Sequence, residues 1–191
     1  MPLILDVLSQ RWSPRAFAPR IVEQEKLAEV FEAARWAPSC YNDQPWEFVL
    51  TRRGQDPAYQ QLLACLMPAN QAWAATAPLL VLNTVRQNFL HNGKPNRWAF
   101  YDLGLAVGNL LAQATALGLS VHQMAGFDAA LAHSSLGLPD DHEAVAVMAI
   151  GYLGDATLLP AGVEEKSPTL RERKSREALL HIGGWKQTPQ D

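Results

Sequence analysis

Between Leu103 and Phe127 the chain carries no Asp, Glu, Lys or Arg, and a stretch of that length is long enough to span a bilayer. Asn109 and Gln113, four apart on one helical face, and the interruption at Gly118 argue instead for a buried helix of a soluble core. A basic flank that would orient a membrane span is also missing. The helical pattern begins at Pro95, near the first position, and runs to Leu117, with Gly118 just past the end; it predicts a rod of about 35 Å. A helix that is apolar almost all round needs neighbours on every side. In a chain of 191 residues the missing cover is expected from a second copy, which makes this a central dimer helix.

The flanking segments alternate helix and strand. Leu27, Val30, Phe31 and Ala34 fall at helical spacing among Glu25, Lys26, Glu29 and Glu32, predicting an amphipathic helix over about 23–36 that Pro38 ends. Trp46 to Thr51 is aromatic and β-branched and reads as a strand. Pro57 suits the first turn of a helix running to about Met67. The apolar run Leu79 to Thr84 predicts a strand buried on both faces. Further strands are expected at about Leu119–Met124 and Ala144–Tyr152, with a short helix near Asp128–Leu136 between them. The fold class is therefore α/β or α+β with one sheet. After Gly154, Pro160, Gly162, Pro168 and the run RERKSRE predict an extended arm rather than a second core.

With 48% hydrophobic residues the chain can bury one core, and one domain is expected over 1–191, the arm occupying about 155–191. A formal charge of −3 gives no basic field for a polyanion, so nucleic acid is an unexpected partner. Cys40 and Cys65 are the only cysteines and are read as reduced, with neither a disulfide framework nor a CxxC motif. The five histidines show no HxH or HExxH spacing, so no metal site is expected. MPLILDVLSQRW lacks the basic start of a signal peptide, which fits a cytoplasmic protein with no membrane partner.

Three clusters carry chemistry. Arg11-Trp12-Ser13-Pro14-Arg15 places two guanidiniums and a hydroxyl within five residues, a set suited to a phosphate monoester; on spacing alone, two solvated arginines before a helix are the better account. Ala37 to Trp46 joins a helix to a strand through small hydrogen-bonding side chains that can read the edge of a heteroaromatic ring. The plain alternative is a turn in which Ser39 and Asn42 bond only to their own backbone. Gln123-Met124-Ala125-Gly126 ends a strand, where Gly126 lets backbone N–H groups approach a ligand closely.

Taken in order, RWSPR, APSCYNDQPW, the DLGLAVGNLLAQATALGL helix running into HQMAGFD, and a basic RERK arm resemble the nitroreductase-like FMN enzymes across nearly the whole chain. The resemblance implies an α+β homodimer, a three-layer α/β/α sandwich around a central mixed sheet, with two FMN sites at the interface, each built by both subunits. It implies that Arg11, Ser13 and Arg15 hold the FMN phosphate and contact the pyrimidine side of the ring, with Trp12 contributing main chain. Pro38, Ser39, Cys40 and Asn42 are implied to reach in from the other subunit, Cys40 standing where serine is commoner. Asn70 matches an amide that pairs with the pyrimidine edge. Gln123, Met124, Ala125 and Gly126 match the strand end whose N–H groups, those of Ala125 and Gly126, face flavin N5 and O4; an acidic residue is frequent where Ala125 stands. In the arm Arg173 matches a phosphate-binding arginine, with Arg171 and Lys174 as neighbours.

The implied activity is transfer of hydride from NADH or NADPH to nitroaromatics, quinones or related small electrophiles in a ping-pong cycle, the flavin carrying the redox chemistry and no side chain acting as acid or base. No GxGxxG follows a strand, so donor and oxidant are expected to share a cleft. Met67, Trp98, Phe100 and Tyr101 are candidates to wall it, although aromatics at helical spacing are more often core. Reductive dehalogenation, breakdown of FMN itself and a non-catalytic FMN-binding dimer are the competing functions on this scaffold.

Overall fold

The structure is a computed structural model that describes residues 4–165, 169 and 171–185. Pro168 and the end of the expected arm from 186 lie outside the described residues. The elements are α1 (Asp6–Gln10), α2 (Gln24–Arg35), β1 (Trp46–Arg52), α3 (Pro57–Cys65), α4 (Pro68–Ala74), β2 (Leu79–Arg86), α5 (Ala99–Ala116), β3 (Ser120–Met124), α6 (Ala129–Ser135) and β4 (His142–Gly151). The strands form one sheet in the order β1-β2-β4-β3.

Period-two alternation sends each strand's side chains to two separate cores. Val81, Val85, Val121, Met148 and Ile150 face Leu27 and Val30 of α2 and Leu103, Ala106 and Leu110 of α5. Leu80, Leu82, Val147 and Ala149 face Tyr59 and Leu62 of α3, Trp73 of α4 and Ala132 of α6. Helices thus cover both faces of the sheet, the expected three-layer α+β arrangement. β2 is buried along its whole length, as its unbroken apolar run predicts.

Three expectations need correction. All pairings among the described strands are antiparallel, so the sheet built within this chain is not mixed. The predicted helix to Met67 ends at Cys65, because the residue before a proline is pushed out of the helical region: Met67 is extended (φ −61°, ψ 148°) and Pro68 opens α4, which the sequence reading does not anticipate. The long helix starts at Ala99 rather than Pro95 and has 18 residues, about 27 Å. Pro95 instead pairs with Asn88 across a tight turn, and the Asn96 side-chain oxygen accepts the Trp98 N–H in the turn that precedes the helix.

α5 buries only one side within the chain. Tyr101, Gly104, Gly108 and Asn109 are exposed, and a Cβ added at Gly104 or Gly108 would meet nothing within 4 Å. Ile4, Leu5, Leu8 and Trp36 are also exposed, on or beside α1 and α2, which both pack against α5. No described helix is long and apolar enough to cross a membrane.

Candidate functional site

The segment after α1 lies along the returning arm. Arg11 is partly buried and donates from Nη1 to Ser13 Oγ at 3.2 Å. Arg171 donates to the carbonyls of Arg11 (2.5 Å) and Ser9 (2.6 Å). Burial, followed by the charges of Arg171 and Arg173, holds the Arg11 guanidinium below its ordinary pKa. Arg11 and Arg171 are thus in contact, with Arg173 near enough for its charge to be felt, an arrangement that could hold a doubly charged anion. Arg173 is exposed and donates to the Glu172 carbonyl, and Lys174 is exposed beside it. The Arg15 guanidinium donates from Nη1 to Glu164 O at 3.0 Å, against the arm. Trp12 is half-buried.

Edge strand β3 is tied to this segment, since His122 Nδ1 donates to Pro14 O at 2.8 Å. At the far end of β3 the chain zips onto the α3–α4 junction. Gly126 O accepts the Met67 N–H (2.9 Å) and Asn70 Nδ2 (3.0 Å), and the Asp128 N–H donates to Cys65 O (2.8 Å). Asn70 and Gly126, both expected at the cofactor, are thus in direct contact. A Cβ at Gly126 would stand 2.9 Å from the Asn70 amide nitrogen, so a larger residue there would make the Asn70 side chain shift. Ala125 is exposed here and Met67 is half-exposed next to Gly126. The Met124 side chain points the other way, into the core with Trp73 and Leu80. Gln123 faces α5, lining a cavity of about 220 Å³ with Phe100, Gly104 and Gly108; the buried Asn83 Oδ1 in its wall has no hydrogen-bond partner.

The Pro38–Asn42 loop sits at the start of β1, on the end of the sheet where β2 and β3 terminate. Ser39 Oγ accepts the Gln44 N–H at 3.0 Å, the local bond of an ordinary turn. Tyr41, Asn42 and Gln44 have left-handed φ of 55°, 53° and 48°, a costly conformation for residues with a Cβ. Two carboxylates brace it. Asp102 accepts the Cys40 N–H (3.1 Å), and Asp43 pairs with Arg86 at 2.7 Å while its other oxygen accepts the Leu90 N–H. Pro38 and Asn42 are exposed. The loop opens edge strand β1, whereas the segment carrying Arg11 is tied to β3 at the opposite edge of the sheet.

The nitroreductase family model matches residues 8–152. The chain belongs to the nitroreductase family. It is 31% identical over 144 residues to an uncharacterized 15.4 kDa protein of Mycolicibacterium smegmatis, covering 72% of this chain and 96% of that one. It is 28% identical over 189 residues to a Streptomyces coelicolor protein named as an NADH dehydrogenase/NAD(P)H nitroreductase (89% and 87% covered). The crystal structure of an oxidoreductase containing FMN superposes with a TM-score of 0.88 at 32% identity, over 98% of this chain and 95% of that one.

As a nitroreductase-family chain it is an oxidoreductase, and several of its bracing residues escape sequence reading. Glu165, Asp43, Arg86, Asp102 and His122 act through partners 43 to 150 positions away, so no local pattern marks them. One signal was present: Asp102 is the acid at the edge of the uncharged run and is only 2% exposed, and a buried carboxylate needs a partner. Trp98, Phe100 and Tyr101 are 44–65% exposed, so within this chain they are not core. A cavity of about 340 Å³ bounded by Arg20, Gln24, Arg52 and Arg53 contains none of the expected residues, and its arginines are already bonded to Glu23, Gln24 and Thr76.

Proposed function

We propose that this chain is an FMN-dependent oxidoreductase acting as a cytoplasmic homodimer, which takes electrons from NADH or NADPH and passes them to nitroaromatics, quinones or related small electrophiles. The observation that carries the reading is the convergence of Arg11, Arg171 and Arg173 beside an edge strand whose far end carries the Asn70–Gly126 contact. The residues fit the cofactor: a cationic seat suits a phosphate dianion, and a strand end kept clear of a Cβ suits a flat ring. The names of relatives and the FMN in a similar oxidoreductase support the donor and the cofactor.

On this reading the whole chain is one FMN-binding domain with an arm. Arg11, Ser13, Arg171 and Arg173 hold the phosphate, with Lys174 adding charge, while Arg15 and Trp12 shape the segment. One Asn70 N–H is committed to Gly126, which leaves the second N–H and the amide oxygen for a pyrimidine edge. The backbone N–H groups of Ala125 and Gly126 are donors placed for the redox-active side of the ring; Gln123 and Met124 contribute through the strand and not through their side chains. Bound FMN supplies two-electron redox chemistry that no side chain here offers. Pro38, Ser39, Cys40 and Asn42 complete the partner's site, which accounts for their distance from the phosphate seat of their own chain. Met67, beside Gly126, walls a cleft that donor and oxidant occupy in turn.

An absorbance spectrum of the purified protein supplied with FMN tests this, followed by anaerobic NADH or NADPH and then a nitroaromatic or quinone. The expected result is a yellow protein that bleaches with the donor and recolours with the acceptor. Failure to take up FMN would sink the assignment, and bound flavin that never turns over would favour a storage role.

A further inference from the structure

Leu159 and Val163 pack the start of the arm against the second core, but that packing does not extend to its arginines. Every described residue from 171 to 180 is exposed, so packing against a core does not hold the segment that carries Arg171 and Arg173. A polar clip does. The Glu165 carboxylate accepts the Arg15 N–H through both oxygens (3.0 and 2.8 Å) and the Ala16 N–H at 2.8 Å. Two successive backbone N–H groups form a concavity suited to an anion, and hydrogen bonds to a carboxylate are about twice as strong as neutral ones. The Arg15 side chain closes the same clip on Glu164 O.

The contacts run antiparallel: Glu165 meets Arg15 and Ala16, and Arg171 meets Arg11 and then Ser9. The clip therefore sets the register in which the Arg171 guanidinium lands on its two carbonyls. It also opposes the mutual repulsion of the cluster, whose members would otherwise drive the arm away from Arg11.

We infer that Glu165 is a positioning residue that locks the arm onto residues 9–16 and thereby sets affinity for the phosphate of FMN rather than for its ring. The inference rests on the cofactor reading above. The test compares binding of FMN and of riboflavin, which lacks the phosphate, to wild type, Glu165→Ala and Glu165→Gln, with circular dichroism checking each fold. Glu165→Ala is expected to weaken FMN about ten- to a hundredfold and riboflavin by less than about threefold. Glu165→Gln, which keeps one acceptor oxygen, should fall between. In the flavin-free proteins, trypsin should cut after Arg171 and Arg173 faster in Glu165→Ala than in wild type. A wild type that binds neither flavin overturns the cofactor reading and the inference with it. A wild-type preference for FMN that Glu165→Ala leaves intact, or an arm cut no faster in the variant, overturns the inference alone.

Discussion

Asp43 and Arg86 form the most buried ion pair among the described residues, with side chains 2% and 11% exposed at 2.7 Å. Its role is mechanical, because the left-handed residues on either side of Asp43 cost roughly 1–3 kcal/mol each where no compensation exists and the loop keeps its shape only if it is tied down. Removing one member of such a pair strands the other charge. Asp43→Ala should therefore destabilise the protein by about 3–5 kcal/mol, read as a lower urea midpoint at unchanged slope. A loss below about 1 kcal/mol would mean that the pair behaves like a surface bridge. The sequence showed the loop, with its small polar residues, but not its anchor: Asp43 finds Arg86 across 43 positions, and nothing near either residue announces the other.

At the scale of the element, the uncharged run was sufficient to place α5, and the misjudged start has a local cause, since the Asn96 turn onto the Trp98 N–H competes with the preference of proline for a first helical turn. Asp102 lies in that first turn, where the helix dipole favours an acid. Burial nevertheless raises its pKa, the nearby Asp43 charge adds to the rise, and the Cys40 N–H only partly opposes it. A folded pKa above the unfolded one means that the fold binds the proton more tightly. The resulting stability is full below the ordinary carboxylate range, near pH 4, and is lost as pH rises through the raised folded value. Asp102→Asn keeps an acceptor for Cys40 and removes this titration. Relative to wild type, the variant should gain melting temperature between pH 4 and pH 7; a constant offset at both would show that Asp102 is not strained by its charge.

For the whole molecule, the three-layer build was legible because strand and helix periods were clean, and β2 declared its burial through an unbroken apolar run. Strand direction was not legible, since pairing is decided by which segments meet and no residue encodes it locally. The open side of α5 is the counterpart of its all-round apolar sequence. Gly108→Leu adds bulk where nothing in the same chain stands within 4 Å, so each subunit should fold. If this face meets a second copy, sedimentation should show a shift from dimer to monomer and a parallel loss of flavin; a stable dimer would place the interface elsewhere. The antiparallel run of arm and N-terminal segment adds a constraint of timing. Arg11 and Arg171 stand 160 positions apart in sequence, and neither core contains a described residue beyond Val163, so both cores can form without the second guanidinium. On the cofactor reading proposed above, loading with FMN is then a late event, completed by a surface strip, and a chain stopped short of that strip is expected to keep its two cores yet bind the phosphate weakly.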